Sequence, residues 1–300
     1  MAEFKSGFVT IIGRTNVGKS TLINLLVGEK VAAIANKVQT TRTAIKGIVN
    51  RENSQIIFTD TPGIHKPKHK LNETMVETSF TSLKDADVIL FLIEADSKEI
   101  GRGDSRILEK IKEANKKTIL IINKIDLVKK EDLLKLIELY SKEYQFEAII
   151  PISALQEKYK DVILDEIEKN LKEGPAYYDI EEYTDQTLRQ LAEETIREKI
   201  LRFLQDEVPH GVYVEVQKMQ ERTNKNGEDM YDIEANIYCI RESHKGIIIG
   251  KNGEMLKRIG RAARIDMEQN FGLKVNLKTW VKVRENWIDN PSIVDKFKLK

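Results

Sequence analysis

Apolar residues follow two different patterns along the chain, and the change between them falls near residue 174. In the first part, short apolar runs at residues 8–12, 55–59, 87–93, 118–122 and 148–152 alternate with stretches of helical spacing, such as 104–114 and 131–144. Runs that are apolar at nearly every position and bounded by turns predict strands buried on both faces of a parallel sheet. Their alternation with helices predicts a doubly wound, mostly parallel α/β domain over residues 1–173.

Gly174-Pro175 ends that pattern, and the acidic and aromatic stretch 174–183 reads as a linker. A second domain, 184–300, opens with Leu188, Leu191, Ala192, Ile196, Ile200 and Phe203 at helical spacing. Thr184 or Asp185 suits the N-cap of that helix. Val212, Val214 and Val216 then alternate with polar or tyrosine positions, as a half-buried strand requires. Asn226-Gly227 marks a hairpin turn, and Tyr231, Ile233, Ala235, Ile237 and Cys239 form the apolar face of the returning strand. Two helical stretches flank Gly250-Lys251-Asn252-Gly253, and a last strand carries Val275, Leu277, Val281 and Val283. The predicted order is α-β-β-α-α-β, an α+β domain.

A length of 300 residues is consistent with about two domains. With 41% apolar and 32% charged residues, the chain can bury cores and remain soluble. No apolar run approaches the roughly 18 residues of a membrane span, and residues 8–12 are too short for a secretory leader. One cysteine, Cys239, excludes an internal disulfide framework and suits a reducing compartment. The net charge of +1 means that any nucleic-acid site must be a local basic patch.

Gly13-Arg14-Thr15-Asn16-Val17-Gly18-Lys19-Ser20 fits G-x-x-x-x-G-K-[ST] between a predicted strand and a predicted helix, the context that this phosphate loop needs. Its glycines allow backbone N–H groups to wrap phosphate oxygens at a helix N-terminus. Lys19 is expected to neutralise the β- and γ-phosphates and Ser20 to offer a hydroxyl to Mg²⁺. The set from this loop runs from Gly13 through Ser20 to Thr21. Asp60-Thr61-Pro62-Gly63 ends another predicted strand, with Asp60 expected near Mg²⁺ through water and the Gly63 N–H near the γ-phosphate. Asn123-Lys124-Ile125-Asp126 follows a third. The Asp126 carboxylate offers two acceptors to the N1–H and N2–H₂ donors of guanine, which adenine lacks; such a site discriminates by roughly 10⁴ or more. In Ser153-Ala154-Leu155, the Ala154 N–H is expected to meet guanine O6. All four motifs lie at strand C-termini, where ligands of open α/β sheets bind. Together they predict GTP rather than ATP.

The polar stretch Gln39-Thr40-Thr41-Arg42 has the position of a first switch; either threonine fits, and Thr41 is taken as the one closing over Mg²⁺. Ile64 stands where Ras-like enzymes place a water-orienting glutamine, so slow hydrolysis is expected, with water held by switch backbone or a partner. Asparagine at the place of Asn16 occurs in GTPases that use K⁺ in lieu of an arginine finger, which makes K⁺ a candidate cofactor. His65-Lys66-Pro67-Lys68-His69-Lys70 reads as a solvated second switch, because Pro67 opposes the helix that a His pair would need to bind metal. The expected catalytic set is Lys19, Asn16, Thr41 and Gly63, and the expected Mg²⁺ set is Ser20, Thr41 and Asp60.

In the second domain, G-x-x-G between two helices within the α-β-β-α-α-β order fits a type II KH domain, whose loop clamps the backbone of about four nucleotides. Gly250, Lys251, Asn252 and Gly253 form the loop, Ile249 borders it, and Lys245, Lys251, Arg258 and Arg261 are placed to offset phosphate charge.

With both sets of motifs present, the whole chain resembles the Era family of bacterial GTPases. Related tRNA-modifying and tandem-domain GTPases share the first set without a single C-terminal KH domain. The resemblance implies binding of the 3′ end of small-subunit (16S) ribosomal RNA and a role in small-subunit maturation. It also implies a cytoplasmic protein partly associated with the inner face of the membrane. A monomer with no DNA partner is expected. Two other readings compete: a signalling switch whose second domain binds a protein, and a P-loop ATPase, which Asp126 opposes.

Overall fold

The computed structural model describes residues 3–34, 45–64 and 69–295. These form two compact units, whose main division falls between Asp185 and Gln186.

The first unit contains strands β1 (Lys5–Gly13), β2 (Ile45–Arg51), β3 (Ser54–Asp60), β4 (Val88–Glu94), β5 (Lys117–Asn123), β6 (Ala148–Pro151) and β7 (Lys172–Glu173). Helices α1 (Lys19–Val27), α2 (Lys70–Asp85), α3 (Arg102–Ala114), α4 (Lys130–Glu143) and α5 (Lys160–Asn170) lie between them. The sheet order is β2-β3-β1-β4-β5-β6, with β7 beside β1. All pairings are parallel except β2 with β3 and β7 with β1. Successive side chains of a strand point to opposite faces, and the cores follow that period. Val9, Ile11, Leu90 and Ile121 pack with Leu22, Ile23 and Leu26 of α1 and Ile163 and Ile167 of α5. Ile12, Phe91, Ile93 and Leu120 pack on the other face with Val76 of α2, Ile107 and Ile111 of α3 and Tyr140 of α4. The result is the doubly wound three-layer architecture that the alternation predicts.

Residues 174–185, read as linker and helix start, are fastened to β2 and β3. Gln55 Oε1 accepts the backbone N–H groups of Tyr177 at 2.7 Å and Tyr178 at 3.0 Å. Ile48 N–H donates to the Tyr183 carbonyl at 2.9 Å. The Thr184 hydroxyl donates to the Lys46 carbonyl at 2.7 Å, and Lys46 pairs with Asp185 at 3.2 Å. Thr184 and Asp185 therefore do not cap the next helix. Thr187 does, in a capping box with Gln190.

The second unit contains α6 (Leu188–Phe203), β8 (Tyr213–Thr223), β9 (Asp229–Cys239), α7 (Glu242–Ile249), α8 (Glu254–Phe271) and β10 (Lys274–Val283). β9 is central, antiparallel to β8 and parallel to β10. The Asn226-Gly227 turn lies between β8 and β9, with Gly227 at φ 82°. Ala192, Ile196 and Ile200 of α6, Ile248 of α7, and Ile259, Ala263 and Met267 of α8 share one core with Val214, Ile233, Ile237, Cys239 and Val275.

Candidate functional site

The C-terminal ends of β1, β3, β5 and β6 bring the four first-unit motifs together. After β1 the chain turns through residues 14–18, with Asn16 at φ 66° and Gly18 at φ 104°. A Cβ at Gly18 would lie 2.3 Å from the Asn123 amide nitrogen, so close packing as well as backbone freedom demands glycine. Lys19, 6% exposed, donates from Nζ to the Gly13 carbonyl at 3.2 Å and the Arg14 carbonyl at 2.8 Å. Burial, partly opposed by Asp60, pushes its pKa down to about 8. The Ser20 hydroxyl donates to Asp60 Oδ2 at 3.0 Å. A hydroxyl and a buried carboxylate side by side form the hard-oxygen pair that Mg²⁺ takes alongside phosphate oxygens and water, so the donor set fits that ion.

Asn123 joins three motifs. Its amide donates to the Val17 carbonyl at 2.8 Å, and its Oδ1 accepts the Ala154 N–H at 2.9 Å. The Ala154 N–H, expected at guanine O6, must share or leave that acceptor to reach a base. Lys124, at φ 65°, reaches over the phosphate loop and donates to the Asn16 carbonyl at 2.9 Å. Asp126 is exposed on a short 3₁₀ turn, Ile125–Leu127, Ser153 is buried, and Leu155 is exposed.

In the Asp60 motif, the Thr61 hydroxyl donates to the Ile11 carbonyl at 2.7 Å, and the Pro62 carbonyl accepts from Ser79 at 2.8 Å. Gly63 lies against the loop, since a Cβ there would be 2.7 Å from Thr15 Cγ2. Ile64 is buried in the core between the sheet and α2–α4, with its N–H on the Gly13 carbonyl at 3.1 Å. Thr40 and Thr41, together with residues 65–68, lie outside the described residues. The Arg14 side chain leaves the loop for the buried Asp104, a partner that sequence reading missed. Glu94, the partner of Lys124, was missed too. Only the alternation of strand and helix hinted at them: Glu94 ends β4, and Asp104 lies in the first turn of α3.

In the second unit, Gly250 (φ 72°) ends α7 and Gly253 (φ 77°) starts α8, with a 3₁₀ turn, Lys251–Gly253, between. A Cβ at Gly250 would press on Met255 Cβ at 2.7 Å, whereas one at Gly253 meets nothing within 4 Å. Lys251 and Asn252 are exposed, Ile249 is half-buried, and Lys245 pairs loosely with Glu242 at 3.7 Å. Arg258 lies further along α8, its guanidinium 4.3 Å from the Phe203 ring centroid. With Arg261 and Ile265 it lines a shallow cavity of about 370 Å³.

A phosphate loop, a Mg²⁺-type oxygen pair and a guanine-reading loop at one sheet edge define a P-loop GTPase, here followed by a helix–loop–helix RNA-binding unit of the KH class. Comparison with known proteins agrees with this class: the family described as 50S ribosome-binding GTPase matches residues 8–124, and the KH domain family matches residues 207–288. GTPase Era of Thermoanaerobacter sp. (strain X514) is 50% identical over 292 residues, covering 97% of this chain and 95% of the relative. GTPase Era of Caldicellulosiruptor saccharolyticus is 53% identical over 287 residues, 96% of this chain and 95% of the relative. A crystal structure of Era in complex with MgGDPNP and nucleotides 1506–1542 of 16S ribosomal RNA superposes with a TM-score of 0.93 at 40% identity, covering 99% of this chain and 100% of that one. A variant of Aquifex aeolicus Era bound to GDP and AlF₄⁻ also gives 0.93, at 41% identity. The chain belongs to the Era family of GTPases.

Proposed function

We propose that the protein binds and hydrolyses GTP with Mg²⁺ and, through its KH loop, binds the 3′ end of 16S ribosomal RNA during small-subunit maturation. The observation that carries this reading is the Asn123 side chain, which locks the phosphate loop to both guanine-facing loops in one site. In the proposed mechanism the Asp126 carboxylate selects guanine by its two donors. Lys19 supplies a cation within hydrogen-bond reach of the phosphate loop backbone. Ser20, Asp60 and Thr41 would hold Mg²⁺, which neutralises phosphate charge when bound. The Gly63 N–H responds to the γ-phosphate. Because Ile64 is buried and apolar, the attacking water relies on switch backbone. The Asn16 side chain is exposed and bonds no other described residue, so its amide oxygen is available to a K⁺ ion beside the phosphates.

In the KH loop, Gly250 and Gly253 permit close approach to an RNA backbone, while Lys251 and Lys245 supply charge. Arg258 and Arg261 extend the basic face along α8. Single-stranded RNA is the ligand, with no DNA partner, and the protein is a monomer. Its proposed location is the cytoplasm, with association at the inner membrane face resting on family resemblance. Among the described residues no helix is long and apolar enough to cross a membrane.

The test is Asp126→Asn. Xanthine presents an acceptor where guanine presents a donor, so the variant should prefer XTP over GTP, whereas the native chain prefers GTP. Unchanged GTP affinity in the variant would overturn the guanine-reading assignment.

A further inference from the structure

Two acids stand behind the phosphate loop, and neither belongs to a nucleotide motif. Asp104, in the first turn of α3, is fully buried. Its Oδ1 lies 3.1 Å from Arg14 Nε, an ion pair rather than an aligned hydrogen bond, and its Oδ2 accepts the Tyr140 hydroxyl at 3.2 Å. The Arg14 guanidinium also donates to Ser97 Oγ at 3.2 Å. Gly103 makes room for it: a Cβ there would lie 2.9 Å from Arg14 Cδ. The backbone of Arg14 is the part that works in the site. Its carbonyl receives Lys19 at 2.8 Å, and its main chain bridges Ile64, next to Gly63.

Glu94, the last residue of β4, repeats the arrangement two loop residues further on. Its carboxylate pairs with Lys124, whose ammonium also holds the Asn16 carbonyl. Each acid thus grips a loop residue through one cation. A buried ion pair contributes little net stability, because desolvation offsets the attraction. What such a pair does supply is fixed geometry, and a site that stabilises transition-state charge needs fixed geometry. Burial pushes the Asp104 carboxyl above its usual range, and Arg14 opposes that push.

We propose that Asp104, backed by Tyr140, and Glu94 are positioning residues for GTP hydrolysis, acting through Arg14 and Lys124 on the phosphate loop. The proposal rests on the GTPase reading above. Its test is single-turnover GTP hydrolysis at saturating GTP, per GDP-binding site, for Asp104→Asn, Arg14→Gln, the double variant and Glu94→Gln. A misplacement of about 1 Å costs up to roughly 100-fold in rate, so losses of roughly 10- to 100-fold are expected for Asp104→Asn and Arg14→Gln. The double variant should be no slower than the slower single, because both act on one contact, whereas Glu94→Gln should add its own loss. Folding is read separately from the melting curve. If Asp104→Asn does not fold, Arg14→Gln, whose side chain is 34% exposed, still decides the matter. Native rates in the folded single variants, or losses that multiply in the double, would overturn the proposal. A native chain that fails to hydrolyse GTP would instead defeat the GTPase reading itself.

Discussion

The Asn123 amide donates to the Val17 carbonyl at 2.8 Å, so the guanine-reading loop and the phosphate loop are one hydrogen-bonded object before any nucleotide contact is counted. Its Oδ1 binds the Ala154 N–H as well. Truncation to alanine leaves two buried backbone groups without that side chain. At about 1–1.5 kcal/mol for each hydrogen bond, Asn123→Ala should lose about 2–3 kcal/mol, a roughly 30- to 150-fold weaker GDP affinity. Titration with a fluorescent GDP analogue measures this directly. An affinity within threefold of native would show that the bridge does not organise the site.

Lys19 gives the nucleotide site a pH dependence. Its pKa is lowered to about 8 by burial, and phosphate binding favours the charged form, so the bound state has the higher pKa. Below pH 8 the lysine is already protonated and affinity is flat. Above pH 8 the free protein holds it neutral, and binding must take up a proton. GDP affinity should therefore fall as pH rises from about 8, by up to tenfold per unit. Calorimetry in two buffers of different ionisation enthalpy at pH 8.5 should report net proton uptake; zero uptake with a flat affinity contradicts the assignment.

Asn16 and Ile64 together predict cation dependence. Ile64 is buried and cannot orient water, while Asn16 faces solvent at the loop apex. Hydrolysis should be faster in K⁺ than in Na⁺ at equal ionic strength, by tenfold if the ion removes about 1.4 kcal/mol from the barrier. Asn16→Ala should abolish the difference. Equal rates in the two salts for the native chain would remove K⁺ from the mechanism.

What could be read from sequence, and what could not, follows from the range of the interactions. Lys19, Ser20 and Asp126 were legible because a phosphate and a base impose residue types at fixed local spacing. β4 was legible because residues 88–93 are buried on both faces. β2 was missed: Lys46, Asn50 and Arg51 break its apolar pattern, since Lys46 and Asn50 serve residues 178–185. The start of α6 was placed too early because Thr184 and Asp185 look like caps until Lys46 is seen to hold them, although Thr187 and Gln190 carried the capping signal. The Arg14–Asp104 pair joins residues far apart in the chain and is visible only once α3 is set beside the phosphate loop.

The central claim is that the KH loop of this GTPase binds ribosomal RNA, and we propose that this binding is thermodynamically linked to the nucleotide held by the first unit. Its most direct measurement is the dissociation constant of an oligonucleotide copying the 3′ end of 16S ribosomal RNA, at one fixed salt concentration because phosphate contacts make affinity salt-dependent. Native protein and Gly253→Asp should each be measured with GDP and with a non-hydrolysable GTP analogue. Gly253 is the suitable position, because a Cβ there meets no neighbour and aspartate is among the side chains least strained by the left-handed backbone. The account predicts that the native protein binds more tightly with the GTP analogue, by about 5- to 150-fold. It also predicts that Gly253→Asp loses RNA affinity in both states while retaining GTP. Equal constants in the two nucleotide states, or native affinity in Gly253→Asp, would contradict it.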